Sequence, residues 1–139
     1  MDYNSAKTYL LERPETIEDF PFGPEVAVFK VKGKMFATLG LRAEPGKESH
    51  TTNINLKCDP QEAIMLRDIF RAVIPGYHMN KKHWNTVLLD NSIPDGEIQR
   101  MIDNSYALVV KGMTKKVRAS LELAYSPEHL YGRKVTAKQ

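Results

Sequence analysis

The stretch P-G-Y-H-M-N-K-K-H-W-N-T-V, residues 75–87, gathers two histidines, two lysines, two asparagines and the only tryptophan of the chain. Side chains of these types bind metals, move protons, grip phosphates or, when buried and hydrogen-bonded, lock a loop in place. Spacing separates the four chemistries. His78 and His83 are five positions apart, so on a helix they diverge by about 140° and on a strand they face opposite sides. They lack the i, i+4 convergence of a zinc helix, and Lys81 and Lys82 between them repel a cation. No metal site is expected.

Cys58 stands alone, which excludes an internal disulfide and a cysteine-based zinc cluster within one chain. The expectation is a small buried hydrophobe. A thiolate at the helix start that follows, facing His78 or His83 across space, is the weaker alternative. The run G-L-R-A-E-P-G-K-E-S is no phosphate loop: Gly40 and Gly46 enclose five residues rather than four, and Glu48 follows Lys47 where Ser or Thr belongs. With no G-x-S-x-G elbow either, no catalytic residue and no cofactor is expected, and the chain reads as a non-enzyme.

Anion recognition has more material. Lys30, Lys32 and Lys34 flank one hairpin tip, Arg42 lies by the next loop, Lys57 ends a strand, and Asn80, Lys81, Lys82 and His83 follow. Such hairpins and loops contact phosphates, so these nine residues are the candidates for binding DNA. Pro75, Tyr77, His78, Trp84 and Thr86 are expected to organise the loop and the core. The net charge of +3 is unevenly spread: residues 1–24 carry −3, 25–88 carry +4, 89–110 carry −3 and 111–139 carry +5. That alternation makes basic faces rather than a uniformly basic surface.

The elements that position these residues follow from pattern. Asn4 or Ser5 caps a short helix that Pro14 stops. Two apolar runs, V-A-V-F-K-V and K-M-F-A-T-L-G-L, joined through K-G-K, form a hairpin over residues 26–41. T-T-N-I-N-L-K-C alternates as a half-buried strand. Asp59-Pro60-Gln61-Glu62 starts a helix whose buried face is Ala63, Leu66, Phe70 and Val73. W-N-T-V-L-L-D is a further strand. The longest helix starts at Ser92 and Pro94 and buries Ile98, Met101, Ile102, Val109 and Met113, until Gly112 and Thr114 break it before K-K-V-R-A-S-L-E-L-A-Y. The order α-β-β-β-α-β-α-α predicts an α+β domain over residues 1–125, a twisted antiparallel sheet with helices packed on one face, and a loosely held tail over 126–139.

At 139 residues, 42% hydrophobic and 27% charged, the composition is that of one globular domain. No apolar run approaches the roughly 20 residues of a membrane span. The N-terminal stretch lacks the features of a signal peptide, so a cytoplasmic location without membrane contact is the expectation.

D-F-P-F-G-P-E-V-A-V-F-K-V-K-G-K-M-F-A-T-L, N-L-K-C-D-P, P-G-Y-H-M-N-K-K-H-W-N-T-V-L-L-D and I-D-N-S-Y-A-L-V-V-K-G-M-T-K-K, in that order, closely resemble the MmcQ/YjbR family from about Ile17 to Arg118. The resemblance implies a small bacterial cytosolic protein with a CyaY-like fold that binds DNA through a double-wing arrangement of its strands. Its signature falls here on Lys57, Pro75, Tyr77, His78, Asn80, Lys81, His83, Trp84 and Thr86. The rival expectation is a protein-interaction or adaptor module in which the same motif serves only the fold.

Overall fold

The structure, a computed structural model, describes residues 1–43, 46, 50–76 and 79–132, with residues 42 and 43 as backbone. Helix α1 (Tyr3–Leu11) precedes four strands, β1 (Thr16–Asp19), β2 (Val26–Val31), β3 (Lys34–Ala43) and β4 (His50–Lys57). Then come α2 (Pro60–Ile69), β5 (Val73–Pro75), β6 (Trp84–Leu88), α3 (Asp95–Lys111), α4 (Lys115–Ala124) and α5 (Pro127–Tyr131). The strands form one antiparallel sheet in the order β1-β2-β3-β4-β6-β5. The α+β architecture is as expected.

Register decides which side chains meet the helices. Across neighbouring strands Phe29 lies beside Ala37, Ala37 beside Leu56, Leu39 beside Ile54, and Ile54 beside Val87. All six are buried in the core. A bulge between Phe29 and Lys30 lets Phe36 join them, so that two successive residues of β3 turn inward. Phe36 meets Tyr106 of α3 edge-on, with ring centroids 5.1 Å apart and planes at 87°. Ser105 beside it donates to the Phe36 carbonyl at 2.6 Å and accepts from the Lys57 N–H at 2.9 Å, tying α3 to β3 and β4.

The helices start and stop for identifiable reasons. Asp59 accepts from the Gln61 and Glu62 N–H groups, and Pro60 opens α2. Thr114 caps α4, accepting from the Val117 N–H. Lys32 and Gly33, both at positive φ (50° and 77°), make the two-residue hairpin turn between β2 and β3. The buried face of α3 includes Ile98, Met101, Ile102 and Val109 as expected.

Four details differ from the sequence reading. The cap of α1 is Asp2, whose carboxylate accepts from the Ser5 N–H at 2.8 Å, rather than Asn4 or Ser5. Helix α2 ends at Ile69, so Val73 belongs to β5 and not to a helical face. β1 and β5, four and three residues long, lie outside the expected order: β1 alternates in burial, but its one apolar residue, Ile17, is 66% exposed, and β5 spans too few residues to set a pattern. The segment read as a tail from Ser126 begins with α5, where Ser126 accepts from the His129 N–H and Leu130 is 1% exposed. One buried leucine per turn and a half leaves almost no periodic signal, which is why the sequence hid this helix.

Candidate nucleic-acid interface

β2 and β3 turn at Lys32-Gly33, β4 ends at Lys57, and β6 begins at Trp84 directly beside Lys57. Antiparallel pairing therefore brings the hairpin tip, the end of β4 and the turn before β6 to one end of the sheet. Lys32, Lys34, Lys57, Lys81, Lys82 and His83 all lie there. Exposure differs among them: Lys32, Lys34, Lys81 and Lys82 are exposed, while Lys57 and His83 are half-buried.

The turn that presents Lys81 and Lys82 is held from three sides. The Asn80 side-chain oxygen accepts from the Lys82 N–H at 2.9 Å, and its backbone carbonyl accepts from the N–H groups of His83 at 3.1 Å and Trp84 at 2.9 Å. The Cys58 N–H donates to the His83 carbonyl at 2.7 Å. Arg67 of α2 donates to the Lys81 carbonyl at 3.3 Å. Asn80, placed among the partner-contacting candidates, thus commits its oxygen to shaping the turn. Gly76 explains the glycine of the motif. Its N–H donates to the Trp84 carbonyl at 3.0 Å, and a Cβ placed there would sit 3.0 Å from both that oxygen and the Trp84 Cβ.

Not every expected phosphate contact is uncompensated. Lys30 pairs with Asp19 at 3.1 Å and Lys32 with Glu15 at 3.0 Å, both acids of or beside β1. Among the described residues, Lys34, Lys57 and Lys82 have no carboxylate within ion-pair distance. The Arg42 side chain, Tyr77 and His78 lie outside the described residues.

The side of the sheet turned away from the helices has its own chemistry. Thr38, Asn55 and Thr86 stand side by side on β3, β4 and β6. Asn55 donates to the Thr38 hydroxyl at 2.8 Å, and Thr86 donates to the Asn55 side-chain oxygen. Trp84, two residues before Thr86, falls on this side as well. Expected to serve the core, it is half-buried and stands outside the core cluster, because strand alternation sends Asn85 and Val87 inward instead. Asn85, which the sequence reading passed over, is 2% exposed and donates to the Ala63 carbonyl at 3.3 Å, fastening α2 to β6.

Cys58 is buried, its sulfur 4.0 Å from a Glu62 oxygen. Burial first, then the negative charges of Glu62 and Asp59, pushes its thiol up to about 11. At neutral pH it is a protonated thiol and a poor nucleophile. Among the described residues, no three of His, Cys, Asp and Glu are grouped to hold a metal ion. No helix among them is long and apolar enough to cross a membrane.

The family model YjbR matches residues 11–108. The chain belongs to the YjbR family. It is 40% identical over 115 residues to the uncharacterized protein YbdF of Escherichia coli O157:H7, covering 82% of this chain and 88% of that one. It is 40% identical over 68 residues to the uncharacterized protein YjbR of Escherichia coli K12, covering 49% and 58%. The crystal structure of Deinococcus radiodurans protein DR2400, with the domain DUF419, superposes with a TM-score of 0.76 at 35% identity, covering 87% of this chain and 88% of that one. A Pseudomonas syringae protein gives a TM-score of 0.70 at 30% identity, covering 78% and 99%.

Proposed function

We propose that this YjbR-family protein is a non-enzymatic DNA-binding domain that grips phosphates with the basic end of its sheet. The observation that carries the reading is the convergence of the β2–β3 turn, the end of β4 and the 80–83 turn at that end. Lys34, Lys57 and Lys82 are its principal cations, with Lys81 and His83 beside them. Lys30 and Lys32 contribute less, since a phosphate must first displace Asp19 or Glu15. Surface pairs of that kind are worth about 0–1 kcal/mol, so their competition is modest but real.

Titration of labelled DNA, as duplex and as one of its strands, at two salt concentrations tests the reading. Binding should weaken steeply with salt, and losing one phosphate contact should flatten the log–log slope by about 1. Absence of binding at low salt, or a slope unmoved by Lys34→Gln with Lys82→Gln, would refute it.

A second reading, a protein-interaction module, has one observation in its favour. Helix α2 leaves Ile64, Met65 and Ile69 between 56% and 64% exposed. It predicts that the paired lysine substitution changes no binding property, while Met65→Asp does.

A further inference from the structure

We propose that the nucleic acid taken at this end is single-stranded, with its bases laid on the uncovered face of the sheet and one of them stacked on Trp84. The inference rests on the phosphate reading above and names its substrate class. Trp84 offers an indole outside the core, with Lys57 directly beside it on the neighbouring strand. An aromatic surface next to a cation is the pairing that holds unpaired bases and their phosphates, because every base has a stacking face.

Two residues further along the strands lies the Thr38–Asn55–Thr86 row, and its hydrogen bonds run one way. Thr86 donates to Asn55, and Asn55 donates to Thr38. Thr38 and Thr86 are themselves buried, 6% and 8% exposed, so the group this row offers is the second N–H of the half-buried Asn55 amide, which has no acceptor among the described residues. That donor meets acceptors on the edges of unstacked bases.

Width argues against a duplex on this face. The major groove, about 12 Å across, admits a helix or a two-stranded ribbon. Six strands spaced about 4.8 Å apart are far too broad for it. Charge is consistent with this route: Lys34, Lys57 and Lys82 flank it. Three acids at this end are engaged, Asp59 by the first N–H groups of α2, Asp19 by Lys30 and Glu15 by Lys32.

Because Trp84 is the only tryptophan, its fluorescence reports on this site alone. The full chain is titrated with a 15-nucleotide oligothymidylate and with a duplex of equal length, at two salt concentrations. The single strand should quench the emission saturably and bind at least about tenfold more tightly than the duplex. By anisotropy of the labelled oligonucleotide, Trp84→Ala should lose about tenfold in affinity and Trp84→Phe should retain most of it. Should Trp84→Ala not fold, Trp84→Leu and the wild-type quench decide. Equal binding of duplex and single strand with unchanged emission overturns the platform and leaves the phosphate reading standing. Binding of neither at low salt overturns both.

Discussion

On the helix-covered side of the sheet, β3 meets β4 through Leu39 beside Ile54 and Ala37 beside Leu56; on the other side the same strands meet through Thr38 beside Asn55. The first set is at most 2% exposed and makes the core. The second is a hydrogen-bonded row that no helix among the described residues covers, although its two threonines are only 6% and 8% exposed. Both faces are ordered, but different forces order them. Apolar burial rewards any close packing, whereas a row of hydroxyls and an amide rewards only one pairing of donors with acceptors.

The largest effect that sharpens this contrast is on the covered side. Phe36→Ala removes a fully buried ring and its edge-on contact with Tyr106, and should cost about 3–5 kcal/mol in a urea denaturation curve. Gly76→Ala comes next, at about 1–3 kcal/mol, because its new methyl group collides with the Trp84 backbone rather than with a yielding side chain. On the uncovered side, Thr86→Val takes the donor from Asn55 and should cost about 1 kcal/mol. Adding Asn55→Val should recover part of that loss. If instead Thr86→Val proves as costly as Phe36→Ala, the two faces are not energetically distinct and the comparison fails.

A smaller effect follows from protonation. Cys58 has an ordinary value of 9.0 and is pushed to about 11 in the fold, first by burial and then by Glu62 and Asp59. Tyr9 rises from 10.0 to about 12, through burial and through its hydrogen bonds to Asp103. For both groups the folded state holds its proton more tightly than the unfolded chain does. Their stabilisation is therefore complete below about pH 9 and declines as pH climbs toward 11 and 12. Melting temperatures should be level from pH 7 to 8.5 and fall above pH 9, and Cys58→Ser should reduce that fall. The smallest expected change is in Lys34→Gln with Lys82→Gln, within about 0.5 kcal/mol of wild-type stability. Under the proposed reading, those two substitutions are seen instead in the salt dependence of nucleic-acid binding.

Periodicity is written in the local sequence; register is not. The helices from Pro60 and Asp95 and the hairpin over 26–41 were legible because caps, prolines and apolar spacing agree there. Trp84 reads as core from sequence because an aromatic residue opening an apolar strand is usually buried. Its true side depends on pairing with Lys57, a contact twenty-seven residues away that no local pattern reveals. The ion pairs of Lys30 and Lys32 are hidden for the same reason: their partners belong to β1, whose T-I-E-D sequence looks like a loop until it pairs. The basic end was legible as a list of residues and became a place only through the topology.

The strands at the two rims of the sheet carry a consequence for how this protein behaves at high concentration. An open rim exposes unpaired backbone groups that can recruit a strand from another molecule and seed aggregation. Here β1 is four residues long and carries Glu18 and Asp19, and β5 is three residues long and ends in Pro75, which has no N–H to offer. The proline that introduces the histidine-rich motif thus also blunts a rim, leaving that end of the sheet with fewer donors to offer a foreign strand.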